Sequence, residues 1–336
     1  MAKTTKKQIK KLAIVCSGGN APGMSCCVNV FTKKCLAYGI EPIAFANGYD
    51  GIHNNKTIKL NPILTQQFID DGSAVIGSSR CPQFATDKKY REKCAANLRK
   101  NKVDGLIVVG GEGSMKGALE LSKLGVKVIV VPATIDNDVP CSSYTIGFDT
   151  CLNTVSDAIS KIDDVFISHN GVAIIELMGR SCPDLTVRSA IAANATYAIT
   201  KYSMLKFKDF MKVIKNAKAK GKFHVTFLVT EKLYPATGSN SLPEIAKAIE
   251  KATGFMCRHI PIGYQQRGGR PSARDRLLAN YMVSLSVDAL MEGRHSRAIC
   301  RINRATVDID LAKALKSKRV SWNKALVKTF NKINEQ

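Results

Sequence analysis

Residues 105–138 read GLIVVGGEGSMKGALELSKLGVKVIVVPATIDND. The stretch opens with an unbroken apolar run, 105–109, that stops at Gly-Gly, and a second run, 126–131, stops at Pro-Ala-Thr. Short apolar runs that do not alternate with polar residues read as strands buried on both faces of a parallel sheet. Upstream, residues 11–16 form a third such run, ending in Ser-Gly-Gly-Asn, and a helical pattern follows over about 22–38. Residues 42–46, 172–177 and 223–229 read as further strands, and 87–100, 150–162, 185–195 and 242–252 as helices. Strands alternating with helices predict an α/β protein whose parallel sheets are covered on both faces. There is no linker rich in Pro, Gly or Ser and no fixed-period repeat, so closely packed layers are expected.

The 336 residues are 45% hydrophobic and 23% charged, enough for one large or two ordinary domains. No run of about 18 apolar residues occurs, which argues against a membrane helix. The basic N-terminus leads into a strand-like run, not a signal-peptide h-region, which argues against export. The 11 cysteines make no CxxC pair and no metal-ligand spacing with the 5 histidines. They read as reduced, buried residues of a cytoplasmic protein. Lys+Arg is 50 against Asp+Glu 27, a net charge of +23, which favours anionic partners such as nucleic acid, anionic lipid or phosphorylated small molecules. Nine of the 15 arginines fall between Arg258 and Arg304; a clustered set suits phosphate, which the guanidinium fork grips with two bonds. The dispersed lysines read as solvated surface. No basic stretch interleaves with aromatics, so an RNA-stacking platform is not expected. Residues 313–328, with Trp322, read as a C-terminal amphipathic helix.

Three strand ends are followed at once by small residues: 17–20, 110–114 and 132–138. Ligands of open α/β sheets bind at the carboxyl ends of the strands, where glycine lets backbone N–H groups approach phosphate oxygens. Neither GxxxxGK[ST] nor GxGxxG is present, so this is neither a P-loop nor the dinucleotide fingerprint. In Thr134–Asp138 two carboxylates stand two apart after a buried strand. Either they serve as base and cation ligand, or they form an Asx turn capping a helix.

The motifs SGGNAPGM (17–24), GSSRCPQF (77–84), GGEGS (110–114), PATIDND (132–138), YTIGFDT (144–150), MGRSCPDLT (178–186), VTE (229–231) and GYQQRGGRPSARDR (263–276) together resemble the ATP-dependent 6-phosphofructokinases of the bacterial type, from about residue 11 to the C-terminus. The resemblance implies two doubly wound parallel-sheet, Rossmann-like domains with the active site in the cleft between them. It places residues 1–147 and 262–310 in a nucleotide-binding domain, and 148–261 and 311–336 in a sugar-phosphate-binding domain. The implied reaction moves the γ-phosphoryl group of ATP onto the C1 hydroxyl of fructose 6-phosphate, a glycolytic step. Asp136 falls on the catalytic base, with Arg180 and Thr134 stabilising the transferring phosphoryl group. Gly19, Arg80, Cys81, Gly111, Glu112, Gly113 and Ser114 fall on the nucleotide site, with Glu112 on the Mg2+ ligand. Met178, Gly179, Glu231, Arg258, Tyr264 and Arg267, together with Thr134, Asp136 and Arg180, fall on the substrate site. The resemblance also implies a homotetramer with sites shared between subunits. Gly113 and Ala133 stand where pyrophosphate-using relatives have an acidic residue and a lysine, which favours ATP.

Several positions depart from the family pattern. Glu112 replaces an aspartate, Asn20 an aspartate, Gly171 a phosphate-binding arginine, Tyr264 a histidine and Pro183 a glycine. At the family's effector site Asn29, Asp163 and Thr196 stand in place of arginines and a glutamate, while Lys33, Lys220 and Lys222 remain. Weakened allosteric control is therefore expected. The departures also leave open a catalytically impaired paralogue that acts as a binding or regulatory protein, with nucleic acid as one partner, and a larger sugar-phosphate acceptor admitted by Gly171.

Overall fold

A computed structural model describes residues 9–317 and 323–335. In chain order its first half runs β1 (Lys11–Ser17), α1 (Met24–Ala37), β2 (Glu41–Phe45), α2 (Gly48–His53), β3 (Thr57–Lys59), α3 (Pro62–Gln67), β4 (Ser78–Ser79), α4 (Pro82–Thr86), α5 (Lys88–Lys100), β5 (Gly105–Gly110), α6 (Glu112–Lys123) and β6 (Val128–Pro132). Then come α7 (Phe148–Ser168), β7 (Val172–Leu177), α8 (Asp184–Ala192), β8 (Tyr197–Ile199), α9 (Phe207–Ala219), β9 (Val225–Thr230), α10 (Leu242–Thr253) and β10 (Cys257–Pro261). A 3-10 turn, Gly263–Arg267, leads to α11 (Ala273–Met291), β11 (Arg297–Ile302), β12 (Ala305–Asp310), α12 (Leu311–Lys316) and α13 (Asn323–Glu335). The described residues divide into two compact units, one of 9–134, 139–150 and 267–317, the other of 135–138, 151–266 and 323–335.

The first unit carries a sheet ordered β12-β11-β6-β5-β1-β2-β3, with β4 also paired to β1. Its centre is parallel; β2–β3 and β11–β12 at the edges are antiparallel. The unbroken apolar runs are its buried centre: the hydrophobic residues of β1, β5 and β6 from Leu12 to Val131 are 0% exposed. Phe45, Leu98, Met115 and Leu121 from the covering helices and β2 complete this core. Leu311 and Ala314 of α12 join it, so residues 311–317 pack in the first unit, whereas the resemblance had placed them in the second. The helix expected over 313–328 is two helices, α12 and α13, and Trp322 lies outside the described residues.

The second unit carries a wholly parallel sheet, β10-β7-β9-β8. Ile174, Phe210, Phe227 and Ile249 are central in its core. Asn331 of α13 docks on β8 like an added strand: its Nδ2 donates to the Ala198 carbonyl and its Oδ1 accepts the Ala198 N–H, each at 2.9 Å. Among the described residues no helix is long and apolar enough to cross a membrane.

Candidate active site

In the first unit the three small-residue turns leave the carboxyl ends of neighbouring strands, because β6, β5 and β1 are adjacent. Ser114 ties two of the turns together: its hydroxyl donates to the Ser17 carbonyl oxygen at 3.1 Å and lies 2.9 Å from Ser17 Oγ. Gly110 must be glycine, since a Cβ there would fall 2.4 Å from the Ser17 carbonyl oxygen. Thr134 is buried, and its N–H donates to the Ile146 carbonyl at 2.9 Å. Gly111 abuts it, with a Cβ position 3.7 Å from Thr134 Cβ. Gly113 opens onto free space, with nothing within 4 Å of its Cβ position.

Glu112 begins α6, where the helix dipole favours negative charge, and pairs with Lys116 at 2.7 Å. Among the described residues no cluster of three or more His, Cys, Asp or Glu could hold a metal ion. A lone carboxylate fits magnesium that arrives with a nucleotide, since that ion keeps several waters and takes one or two carboxylates plus phosphate oxygens.

Arg80 is exposed. Cys81 sits beside Asp50, which accepts from Tyr90 Oη at 2.7 Å and from Ser79 Oγ at 2.8 Å. Partial burial, then the Asp50 carboxylate, raise the Cys81 thiol above its ordinary value. Arg267, expected at the sugar phosphate, stands in the first unit against Gly19, whose Cβ position would be 2.7 Å from its Nη1. Asn20 is fixed here too. Its Nδ2 donates to the carbonyls of Gly72 and Arg267 at 2.6 and 2.7 Å, a task an aspartate cannot perform.

In the second unit Asp136 is 2% exposed. Arg180, with a half-exposed side chain, places Nε 3.4 Å from Asp136 Oδ2 and Nη1 3.9 Å from Asp138 Oδ2. The Arg180 backbone is left-handed, φ 50°, and its N–H donates to Glu231 Oε1 at 3.1 Å. Gly179 precedes it at φ 138°, a conformation that glycine alone takes without strain. The Met178 N–H donates to Gln266 Oε1 at 3.1 Å, and Gln266, fully buried, donates onward to the Gly263 carbonyl at 3.0 Å. Asp136, Arg180, Glu231, Met178 and Gly179 are thus brought together. Gln266 and Asp184, which bonds Asn137, complete the cluster. They lay inside quoted motifs, but backbone-holding residues have no spacing signature of their own.

Arg258 stands apart. It pairs with Glu250 and sits in register with Ala173, four residues or about 13 Å of strand before the end of β7. Gly171 lies at that same amino end of the sheet, next to Val172. Tyr264 is 83% exposed on the 3-10 turn.

A family model described as phosphofructokinase matches residues 11–290. The chain belongs to the phosphofructokinase family. It is 40% identical over 97% of its length, and all of the relative's, to the ATP-dependent 6-phosphofructokinase of Clostridium acetobutylicum. The same-named protein of Photobacterium profundum is 38% identical over 97% of the chain and 99% of its own. Among solved structures, phosphofructokinase from Saccharomyces cerevisiae superposes with TM-score 0.81 at 24% identity, covering 97% of this chain and 48% of the yeast chain. The pyrophosphate-dependent phosphofructokinase from Marinobacter aquaeolei gives TM-score 0.83 at 17% identity over 96% of this chain and 91% of its own. These structures establish the phosphofructokinase fold. Within that family Gly171 opens no space: a Cβ would meet Phe166 Cδ1 at 2.8 Å and the Met256 carbonyl oxygen at 3.0 Å.

Proposed function

We propose that the chain is an ATP-dependent 6-phosphofructokinase that converts fructose 6-phosphate to fructose 1,6-bisphosphate in glycolysis. The observation that carries the reading is the buried Asp136 carboxylate facing the Arg180 guanidinium at 3.4 Å, on two loops braced to each other. Proteins catalyse phosphoryl transfer by positioning and charge stabilisation, and this pair supplies both. Asp136 accepts the C1 hydroxyl proton as that oxygen bonds to the γ-phosphorus. The bond from γ-phosphorus to the β,γ-bridging oxygen breaks, and ADP departs. Arg180 and Thr134 hold the transferring oxygens as charge develops on them. Backbone N–H groups at Gly19 and Gly111–Ser114 hold the nucleotide phosphates, with Arg80 and Cys81 along the nucleoside. Magnesium bound with ATP supplies charge neutralisation of its phosphates, and Glu112 is the residue that would hold it. The open space at Gly113 supports ATP over pyrophosphate, because it leaves room for the α-phosphate and its nucleoside.

Met178, Gly179, Glu231, Tyr264 and Arg267 are the proposed contacts to the sugar phosphate. Arg258 completes such a site in a neighbouring subunit of a homotetramer, a role that suits its place at the far end of the sheet from Arg180. Free cysteines throughout fit a cytoplasmic protein. A coupled assay with ATP, magnesium and fructose 6-phosphate tests the reading. Asp136→Asn should lower kcat by about 10²–10⁴-fold, the usual worth of a general base. Wild-type turnover no faster than this variant at millimolar substrate would overturn it.

A further inference from the structure

The turn that presents Asp136 is held from behind. Asn137 is left-handed, φ 47°, and 6% exposed. Its Nδ2 donates to Asp184 Oδ2 at 2.7 Å, a buried contact between side chains 47 residues apart. Asp184 is itself 6% exposed. It is the first residue of α8, where the helix dipole stabilises a carboxylate, and Pro183 before it offers no capping side chain. A second tie comes from the same loop, since Cys182 Sγ donates to the Asn137 carbonyl at 3.6 Å. Arg180, two residues before Cys182, reaches back to Asp136 and Asp138. The 135–138 turn and the 178–184 loop are therefore joined on two sides: through Arg180 to Asp136 and Asp138 on the reacting side, and through Asn137 to Asp184 and Cys182 on the buried side.

We infer that Asp184 is a positioning residue for the phosphoryl transfer, a claim that rests on the kinase reading above. It touches no substrate. By anchoring the Asn137 amide it fixes the left-handed step in the turn, and that step aims the neighbouring Asp136 carboxylate at Arg180 and the acceptor hydroxyl. A catalytic group displaced by about 1 Å loses on the order of 10²-fold in rate, and the turn has Asn137 as its pivot.

The test compares Asp184→Ala, Asp184→Asn, Asn137→Gly and the double variant Asp184→Ala/Asn137→Gly with wild type. Each is followed by steady-state kinetics, with circular dichroism to check folding. Asn137→Gly keeps a backbone free to be left-handed but removes the amide. Asp184→Asn keeps an acceptor oxygen at the same place. The inference expects kcat to fall roughly 10²-fold in Asp184→Ala and in Asn137→Gly, with KM for both substrates little changed. Asp184→Asn should recover much of the loss. The double variant should be no worse than either single, because both cut one tie. If Asp184→Ala fails to fold, Asp184→Asn and Asn137→Gly carry the test. Wild-type kcat in Asn137→Gly, losses that multiply in the double variant, or a raised KM at unchanged kcat would each overturn the role. An inactive wild type would instead overturn the kinase reading itself.

Discussion

At the scale of single residues, position 20 shows how a change of one atom type redirects a site. With asparagine there, two backbone carbonyls receive hydrogen bonds from one amide. Asn20→Asp, which restores the family's residue, sets a carboxylate against both carbonyl oxygens. The variant should lose about 1–3 kcal/mol of stability, the cost of leaving half-buried polar groups unsatisfied, and should not bind ATP more tightly. Denaturant melts and the KM for ATP check this. Much of the site was legible at this scale: Asp136, Arg180 and Glu231 bear charges in distinctive motifs, and they converge in the second unit. Gln266 and Asp184 were invisible because their work is to hold a backbone N–H and an amide, which any polar residue in the right place can do. Arg267 was legible as a phosphate-binding residue type, but only the folded chain sets its guanidinium beside Gly19.

At the scale of elements, β1, β2, β5, β6, β7 and β9 were read to within a few residues because their faces are apolar on both sides, whereas β10 and β11, broken by Arg, His or Pro, were not read. The short strands β3, β4 and β8, and the edge strand β12, lack that signature: two or three residues, or half-buried alternation, look like loop. The amino end of β7 yields a prediction. Gly171→Arg, which restores the family's phosphate-binding charge, forces its Cβ against Phe166 and the Met256 carbonyl. Melting should show a loss of about 1–3 kcal/mol, typical of overpacking, with no gain in affinity for fructose 6-phosphate. A pH effect belongs to α11. Asp275 Oδ2 accepts from the Thr150 N–H and hydroxyl at 2.8 and 2.6 Å, and burial raises its carboxyl to about 6. Because folding raises this pKa, the native state holds the proton more tightly than the unfolded chain. The group therefore contributes most at acid pH, and its contribution fades as pH rises from about 4, the unfolded value, to about 6. Across that window the stability of wild type relative to Asp275→Asn should fall by on the order of 2–3 kcal/mol, read from urea melts at each pH.

At the scale of the whole molecule, two of the three altered positions that the resemblance assigns to an effector site, Asn29 and Thr196, are buried, and Asp163 is half-buried. Asn29 is 2% exposed and donates to Thr65 Oγ1 at 3.1 Å. Thr196 Oγ1 accepts the Thr226 N–H at 3.2 Å, and Asp163 accepts from the Thr226 hydroxyl at 2.6 Å beside His224. None of the three is left to meet an anion. Millimolar ADP or phosphoenolpyruvate should shift half-saturation for fructose 6-phosphate by less than about twofold, where allosteric couplings typically reach about fivefold or more. Saturation curves with and without each effector decide it. Nothing in the structure explains the net charge of +23. The path of the chain has a consequence for descent. Among the described residues it passes from one unit to the other after Thr134, Asp138, Thr150 and Gln266. The unit that holds Arg180 thus receives Asp136 as a tetrapeptide spliced between segments of the other. No single stretch of gene encodes either unit. A single crossover therefore cannot trade one unit for a foreign one.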